Sequence, residues 1–335
     1  MRPLVIYTGT SLGDADMAKT AYGIVRFAPE RVHSVWDTKH GGARAQDIVP
    51  AVTCDAPVVA TLDDVPDEYD LVIGFAPIGG GLTERQYADL ASAAGPGVRI
   101  INGLHQELEL PGVVNLRHLR TGERPIAQGH PLASYRILTV GTSHAVGKMT
   151  ATCQLYNGLR QHRGKVEWLA TGQTGMLIAG QGRVLDSIPV DFVPGHIEQM
   201  LMDVDSTGKV VIVEGQGSIF HPSYSGLAAS LFHTVAPQAY VLCARVGQEK
   251  HLGFDWQVPS VPQAIEAYDR LATVFGIDSS CIAVSLDSTR VSEEEYLAEK
   301  EKLSAITGLP VADPVREGAD TLLTAEVMAR LPEQP

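Results

Sequence analysis

Short runs of β-branched and aliphatic residues alternate along the chain with segments whose apolar residues recur at helical spacing. In the first part this pattern predicts strands at Leu4–Tyr7, Val32–Trp36, Val58–Ala60, Leu71–Gly74 and Val98–Ile101, and helices near Met17–Phe27 and Thr83–Ala93. A strand, a glycine-containing loop and a helical segment recur in this order, which is typical of parallel sheets with crossover helices. The first part therefore has the pattern of a Rossmann-like α/β domain.

A second series of the same kind begins after a stretch rich in proline and glycine, residues 104–135. Its predicted strands are Arg136–Val140, Val166–Ala170, Val210–Val213, Tyr240–Cys243, Ile282–Ser285 and Leu309–Ala312. Apolar stripes within residues 197–204 and 261–275 predict two helices that pack on this sheet. We therefore expect two α/β domains, residues 1–134 and 135–335.

The balance of charges excludes one class of partner. The 335 residues include 26 basic and 39 acidic side chains, a formal net charge of −13, and neither half carries a basic face suited to nucleic acid. An acidic protein repels anions overall. A phosphorylated ligand must therefore be bound by local geometry, through backbone N–H groups and one or two fixed cations.

The cysteines and the lengths of the apolar stretches indicate the cellular compartment to expect. The four cysteines form no close pair and no C-x-x-C motif, and none has a spacing suited to zinc, so a reduced, cytoplasmic protein is expected. No apolar stretch has the length of a membrane span or a secretion signal. We expect a homo-oligomer that acts on a small molecule, without nucleic acid or membrane partners.

The sharpest motif follows the strand at 136–140. A strand, a loop bounded by glycines and a helix resemble a P-loop, in which loop N–H groups and a lysine hold phosphates. The spacing is G-x5-G-K, and a methionine stands where a hydroxyl residue is usual. A plain glycine-rich turn with an exposed lysine, or a hydrolase nucleophile elbow at 141–145, is a weaker alternative. The predicted phosphate-binding residues are Gly141, Thr142, Ser143, His144, Ala145, Val146, Gly147, Lys148, Met149 and Thr150.

Oxygen ligands for magnesium are available near this motif if the bound nucleotide is ATP. The hydroxyl ligand could be Thr150, Thr142 or neither, and Glu214 follows an apolar strand at the edge where open α/β sheets bind ligands. Asp191 could supply a second carboxylate. The oxygen ligands for one magnesium ion could thus come from Thr150, Asp191 and Glu214. The alternatives are that Glu214 caps its strand and that Asp191 is an ordinary carboxylate before a helix.

Three segments resemble the D-glutamate N-acetyltransferase family. They are GTSHAVGKMT at 141–150, ATGQTG at 170–175 and VEGQGSIFHPSYSG at 213–226, and AKTAYGIVR at 18–26 also matches the first domain of that family. The resemblance implies a Rossmann-like domain joined to a P-loop domain akin to dethiobiotin synthetase. It also implies acetyl transfer from acetyl-CoA to the amino group of an acidic amino acid such as D-glutamate.

Candidate residues for this chemistry lie in the glycine-rich loops expected near the sheet edge. Glu214 and His221 are candidate bases for the amine, and Gln173 and Gln216 are candidate donors to the oxyanion. His221 could equally well be a structural histidine of its loop. Gln173 and Gly215 are expected to contact the cofactor, and Gln216 the substrate. Lys19 and Arg26 are expected to bind the substrate carboxylates, although Lys19 could equally well cap a solvated helix.

A second function fits the same phosphate loop. An ATP- and magnesium-dependent ligase or kinase of the dethiobiotin synthetase type would also use a strand-end carboxylate and a P-loop.

In the first domain, Asp37 ends the second strand, where an acid binds ribose in dinucleotide folds. The loop around Gly9 and Gly13 lacks the G-x-G-x-x-G pattern, however, so the nucleotide signal in that domain is weak.

Overall fold

The computed structural model describes residues 2–77, 81–117, 124–318 and 322–331. Two six-stranded parallel sheets with flanking helices confirm the predicted α/β class. The chain forms two compact units. The first comprises Met1–Thr121 with Met176–Ser187, and the second comprises Gly122–Gly175 with Ile188–Pro335.

The first unit is built on a sheet with the strand order β3-β2-β1-β4-β5-β6. Its strands are β1 Leu4–Gly9, β2 Val32–Asp37, β3 Val58–Val59, β4 Tyr69–Ile73, β5 Val98–Asn102 and β6 Val113–Asn115, and its helices are α1 Lys19–Phe27, α2 Ala45–Ile48 and α3 Glu84–Ala93. All six residues of β1 are buried, as expected for a central parallel strand covered on both faces. The sequence did not predict β6, a three-residue edge strand in the segment rich in proline and glycine.

The second unit has the strand order β12-β11-β10-β7-β9-β8. Its strands are β7 Tyr135–Gly141, β8 Val166–Leu169, β9 Val210–Val213, β10 Ala239–Arg245, β11 Ser280–Asp287 and β12 Val311–Ala312. The helices are α4 Lys148–His162, α5 Gln173–Ala179, α6 Val193–Val204, α7 Ser225–Val235, α8 Val261–Phe275, α9 Glu293–Thr307 and α10 Leu322–Arg330. Only the start of α5, up to Gly175, belongs to this unit, and its remainder belongs to the first. Because β7 lies between β10 and β9, the loop after β7 lies beside the loops that leave both neighbours.

Two carboxylates of α6 attach the segment before β7 to the second unit. Glu198 accepts hydrogen bonds from the backbone N–H groups of Gln128 and His130, each at 2.8 Å. Asp205 at the end of α6 accepts from the N–H groups of Ala133 and Ser134. These bonds hold the pKa of both carboxyls below their usual values although burial acts in the opposite direction.

Residues 176–187 group with the first unit through apolar contacts and one ion pair. Leu177 and Ile178 pack on the core around α1, and Arg117 pairs with Asp186.

None of the four cysteines forms a disulfide. No helix in the described part of the chain has both the length and the apolar character needed to cross a membrane.

Candidate functional site

The loop between β7 and α4 has the backbone of an anion cradle. Ala145 and Gly147 have positive φ values of 54° and 88°, and α4 begins at Lys148 directly after Gly147. The backbone N–H groups of Ala145, Val146 and Gly147 donate to no backbone carbonyl of the described chain. Successive unpaired N–H groups at a helix N-terminus form a concave, positively polarised surface. The loop can therefore hold an anionic group.

Lys148 is buried against this loop. The residue is 7% exposed, and its ammonium donates a hydrogen bond of 2.9 Å to the carbonyl of Ser143. Burial lowers the pKa of Lys148 to about 8, although Cys243 and Glu214 act in the opposite direction. Its hydrogen-bond partner is thus a neutral carbonyl, which leaves the positive charge available to an anion on the loop.

A chain of hydrogen bonds connects the loop after β9 to the first turn of α4. The N–H of Gly215 donates to Thr139 Oγ1, which lies 2.9 Å from Thr152 Oγ1, and Thr152 donates to the carbonyl of Lys148. A Cβ at Gly215 would overlap the carbonyl oxygen of Thr139. The close approach of these two segments therefore requires glycine at position 215.

Glu214 is buried at the end of β9, 4% exposed. Its carboxylate accepts hydrogen bonds from the backbone N–H groups of Thr171 and Gly172. Burial raises the pKa of Glu214 to about 7, because these bonds and the charge of Lys148 offset the desolvation only in part. A Cβ at position 175 would overlap the carboxylate of Glu214, so the glycine-rich turn after β8 can pack closely against Glu214 only with glycine at this position.

Three histidines cluster at the opposite end of the loop from Gly147. His221 is fully buried, and its ring centroid lies 4.4 Å from that of His144 and 5.1 Å from that of His251. Tyr224 stacks on His221 at 4.5 Å, and Phe254 meets its edge at 4.9 Å. This histidine cluster, His144, His221 and His251, borders the anion cradle directly.

The Nε2 atoms of His221 and His251 are buried without a partner. Each of these two rings uses its other nitrogen in a hydrogen bond. Burial lowers the pKa of both imidazoles, and for His221 the neighbouring His251 and Lys148 add to the effect. Both rings are therefore neutral at neutral pH. Buried polar atoms without a partner are rare, and a ligand that binds here would supply one.

Most remaining residues predicted for the cofactor and metal lie in the second unit. Met149 and Thr150 are half-buried in the first turn of α4. Gln173 is the first residue of α5, and Gln216 donates through Nε2 to Thr171 Oγ1 at 3.0 Å. Asp191 is exposed in a short 3-10 helix, Val190–Phe192, which directly precedes α6. Within the described ranges, no group of three or more His, Cys, Asp or Glu side chains is arranged to hold a metal ion.

The two predicted substrate cations lie on α1 of the first unit. Lys19 is exposed at the first residue of the helix. Arg26, in the last turn, donates to the carbonyl of Pro50 at 2.9 Å. Their roles toward a substrate stay predictions.

Comparison with known proteins assigns the family. Residues 38–116 match the model of a Rossmann-like domain of unknown function, DUF1611_N, and residues 125–323 match that of a P-loop domain of unknown function, DUF1611_C. The chain belongs to the DUF1611 family.

Relatives with names and a solved structure agree with this assignment. A D-glutamate N-acetyltransferase from Tritonibacter scottomollicae is 33% identical over 329 residues, which cover 94% of this chain and 96% of the relative. A protein of the same name from a Pseudoalteromonas species is 32% identical over 264 residues, 75% of this chain and 79% of the relative. The crystal structure of a DUF1611 family protein from Anabaena variabilis superposes with a TM-score of 0.88 at 29% identity, covering 98% of this chain and all of that chain. The resemblance stated from the sequence is thereby confirmed.

The sequence indicated neither His251 nor Arg245 as part of the site of this DUF1611 protein. His251 lies in an irregular turn after β10, and Arg245, the last residue of β10, donates to the carbonyl of Ala145 and pairs with Asp287 at 2.8 Å. Neither residue belongs to a recognisable motif. The one available signal was position, because Arg245 ends β10 and His251 follows it, and β10 lies beside β7 in the sheet.

Proposed function

We propose that this protein is an N-acyltransferase that moves an acetyl group from acetyl-CoA to the amino group of an acidic amino acid of the D-glutamate type. The observation that carries the proposal is the pair of buried, unpartnered imidazole nitrogens, Nε2 of His221 and Nε2 of His251, beside the anion cradle. The names of the two relatives support the reaction and the acceptor.

Aminolysis of a thioester needs the two kinds of group that neutral histidines provide. The attacking nitrogen must lose a proton, and the carbonyl oxygen gains negative charge in the tetrahedral intermediate. A neutral imidazole can accept the proton or donate a hydrogen bond to the oxygen, depending on its tautomer. A pair of neutral imidazoles therefore suffices for both tasks without a metal ion.

The anion cradle has a role in the same reaction. We propose that loop 141–150 binds the phosphates of the acyl donor, with Gly215 and Gln173 beside them, and that Lys148 supplies the fixed positive charge. Glu214, whose carboxyl pKa of about 7 suits proton transfer at neutral pH, remains a candidate base, and Gln216 a candidate contact for the acceptor.

A second candidate is an ATP- and magnesium-dependent ligase or kinase. Glu214 favours it, because a buried carboxylate at a strand end near the P-loop lysine is a suitable magnesium ligand. Thr150 and Asp191 would complete the oxygen ligands. A metal ion held there would supply positive charge for phosphoryl transfer.

One pair of assays separates the two candidates. The protein is mixed with acetyl-CoA and D-glutamate, L-glutamate or glutarate, and the release of free thiol is followed. Glutarate carries both carboxylates but no amine, so it measures thioester hydrolysis alone. We expect thiol release with D-glutamate well above the glutarate background. The second assay supplies ATP and magnesium and follows the release of phosphate. Thiol release no faster than with glutarate, together with phosphate release in the second assay, would establish the second candidate instead.

A further inference from the structure

The two histidines that border the anion cradle are held by different kinds of group. Nδ1 of His221 accepts a hydrogen bond of 3.1 Å from the backbone N–H of Ser223. Nδ1 of His251 lies 2.7 Å from the hydroxyl oxygen of Ser143, which is itself fully buried in the loop. This difference determines what each Nε2 atom can do.

A backbone N–H can only donate, so it fixes the tautomer of His221. With its lone pair on Nδ1 engaged, the neutral ring must carry its hydrogen on Nε2. Protonation of His221 would put a hydrogen on Nδ1 and break the bond to Ser223. His221 is therefore a fixed hydrogen-bond donor at Nε2 and a poor proton acceptor.

A hydroxyl can both donate and accept, so Ser143 does not constrain His251 in this way. Ser143 Oγ accepts a hydrogen bond from Nδ1–H when the lone pair of His251 is on Nε2, and it keeps that bond after Nε2 takes up a proton. His251 can thus pass between neutral and protonated forms without losing its partner.

We propose that His251 Nε2 is the proton acceptor for the acceptor amine, that His221 Nε2–H is the donor to the thioester carbonyl oxygen, and that Ser143 is the positioning residue of His251. The assignment rests on the proposed acetyl transfer. It differs from the expectation from sequence, in which His221 was a candidate base.

The step balances with the groups named. The amine nitrogen attacks the carbonyl carbon and forms the C–N bond while its proton moves to His251 Nε2. The oxygen of the tetrahedral intermediate accepts the hydrogen bond of His221 Nε2–H. The C–S bond then breaks, and His251 returns the proton to the leaving sulfur, which gives the amide and a free thiol.

Glutamine substitution tests the division of roles, because an amide side chain can donate a hydrogen bond but cannot accept a proton at neutral pH. We expect His251→Gln to lower kcat about 10²- to 10⁴-fold, the usual contribution of general base catalysis. His221→Gln should lose about tenfold or less, whereas His221→Ala should lose about 10²- to 10³-fold, as for removal of an oxyanion donor.

Chemical rescue gives an independent readout that also shows the variants to be folded. Added imidazoles should restore part of the rate of His251→Ala, and the restored rate should rise with the basicity of the imidazole. With His221→Ala, any rescue should not rise with basicity. Acetyl-CoA binding and the thermal midpoint of each variant are measured alongside.

Ser143→Ala tests the positioning role through a double-mutant cycle. The single substitution should lower kcat about tenfold. In a His251→Ala background the same substitution should have no further effect on kcat, because Ser143 influences the proton transfer through His251. A purely structural role would lower the rate in both backgrounds.

The outcomes distinguish this assignment from the proposed function. If the unmodified protein transfers no acetyl group, the proposed function is wrong and the assignment is overturned with it. If the unmodified protein is active but His221→Gln is as impaired as His251→Gln, or His221→Ala is rescued in proportion to basicity, only the division of roles is wrong.

Discussion

Asp37 and Glu214 are both buried at the carboxyl edge of a parallel sheet, one in each unit. Asp37 ends β2, and its carboxylate accepts hydrogen bonds from Thr8 Oγ1, from His40 Nδ1 and from the backbone N–H groups of Leu12, Lys39 and His40. Burial alone would raise the pKa of Asp37, but these bonds outweigh it and hold the pKa below its usual value. The hydrogen bonds of this carboxylate thus hold the loop after β1 against the loop after β2.

Glu214 has fewer donors and the opposite shift, a pKa raised to about 7 by burial. The loops that follow β7, β9 and β10 at the same edge also contain backbone N–H groups that donate to no backbone carbonyl of the described chain and two unpartnered imidazole nitrogens. Parallel sheets of similar size thus differ at their carboxyl edges. At the edge that carries Asp37 the chain satisfies the polar groups around that carboxylate, whereas the edge that carries Glu214 contains buried polar atoms without a partner.

The largest effect is expected from Gly215→Ala, which disturbs the edge of the second sheet alone. The new methyl group would overlap the Thr139 carbonyl, so we expect the free energy of unfolding to fall by about 3 kcal/mol or more. Gly226→Ala is the matched control, because its Cβ points into open space within α7 and alanine favours a helix by about 1 kcal/mol. Chemical denaturation measures both. Equal stability of the two variants would contradict the close contact.

Lys148→Met tests whether the loop binds the donor's phosphates. The substitution keeps the buried aliphatic stem and removes the charge, so affinity for acetyl-CoA should fall about 10- to 100-fold, the range for a hydrogen bond to a charged group. Calorimetric titration of acetyl-CoA and the separate KM values for donor and acceptor measure the effect.

The opposite result for Lys148→Met would be equally informative. A higher KM for D-glutamate with unchanged acetyl-CoA affinity would mean that the loop holds an acceptor carboxylate. If the α-carboxylate is the one bound, the amino group lies one carbon from it and would then fall near the histidine cluster. If the donor's phosphates occupy the loop instead, the long pantetheine arm must fold back for the thioester to reach the same histidines.

Asp37→Asn tests the carboxyl edge of the first sheet, where the chain itself supplies the hydrogen bonds to the carboxylate. We expect the free energy of unfolding to drop by about 1–3 kcal/mol at neutral pH while kcat stays within about twofold. A carboxyl whose folded pKa is depressed stabilises the fold above its unfolded pKa, and that contribution is lost as the pH falls through the folded pKa. The difference between variant and parent should therefore shrink in acid, as measured by urea unfolding at several pH values. A difference that is constant with pH would contradict the assignment.

Glu214→Gln should have the opposite pH dependence. Because the folded pKa of Glu214 is raised to about 7, the folded state binds more protons than the unfolded state between about pH 4.5 and 7. The parent therefore loses stability over this range as the pH rises, and the variant does not. We expect the stability of the variant relative to the parent to increase up to about pH 7 and then to level off. An increase toward acid instead would mean that Glu214 is stabilised as a carboxylate.

The sequence predicted the elements whose residues are buried in regular patterns. Strand Val210–Val213 has the predicted bounds, and helices α6 and α8 coincide with the apolar stripes. Helix α9 was missed because few of its residues, among them Tyr296 and Leu303, are buried, so it has hardly any apolar stripe. The edge strand β6 was missed because it lies in the segment rich in proline and glycine, whereas the shorter edge strands β3 and β12 were predicted.

The site was predictable where a motif carries the chemistry and not where the fold brings distant residues together. Loop 141–150 and Glu214 follow strands in recognisable strings. His251, in contrast, meets Ser143 across 108 positions of sequence, and no local pattern encodes that hydrogen bond. The fixed tautomer of His221 also depends on a local turn at Ser223 that its sequence does not reveal.

The smallest effect is expected from Lys19→Ala, which asks whether the first unit contributes charge to substrate binding. Lys19 is exposed, and an exposed charge contributes at most about 1 kcal/mol, so the KM for D-glutamate should rise about twofold to fivefold while the KM for acetyl-CoA stays unchanged. Because the interaction is electrostatic and solvated, added salt should remove the difference. Lys165→Ala, an exposed lysine just before β8, is the control and should change neither constant. If both variants behave alike, Lys19 is an ordinary solvated residue of α1, and substrate recognition lies with the groups that the second unit leaves unsatisfied.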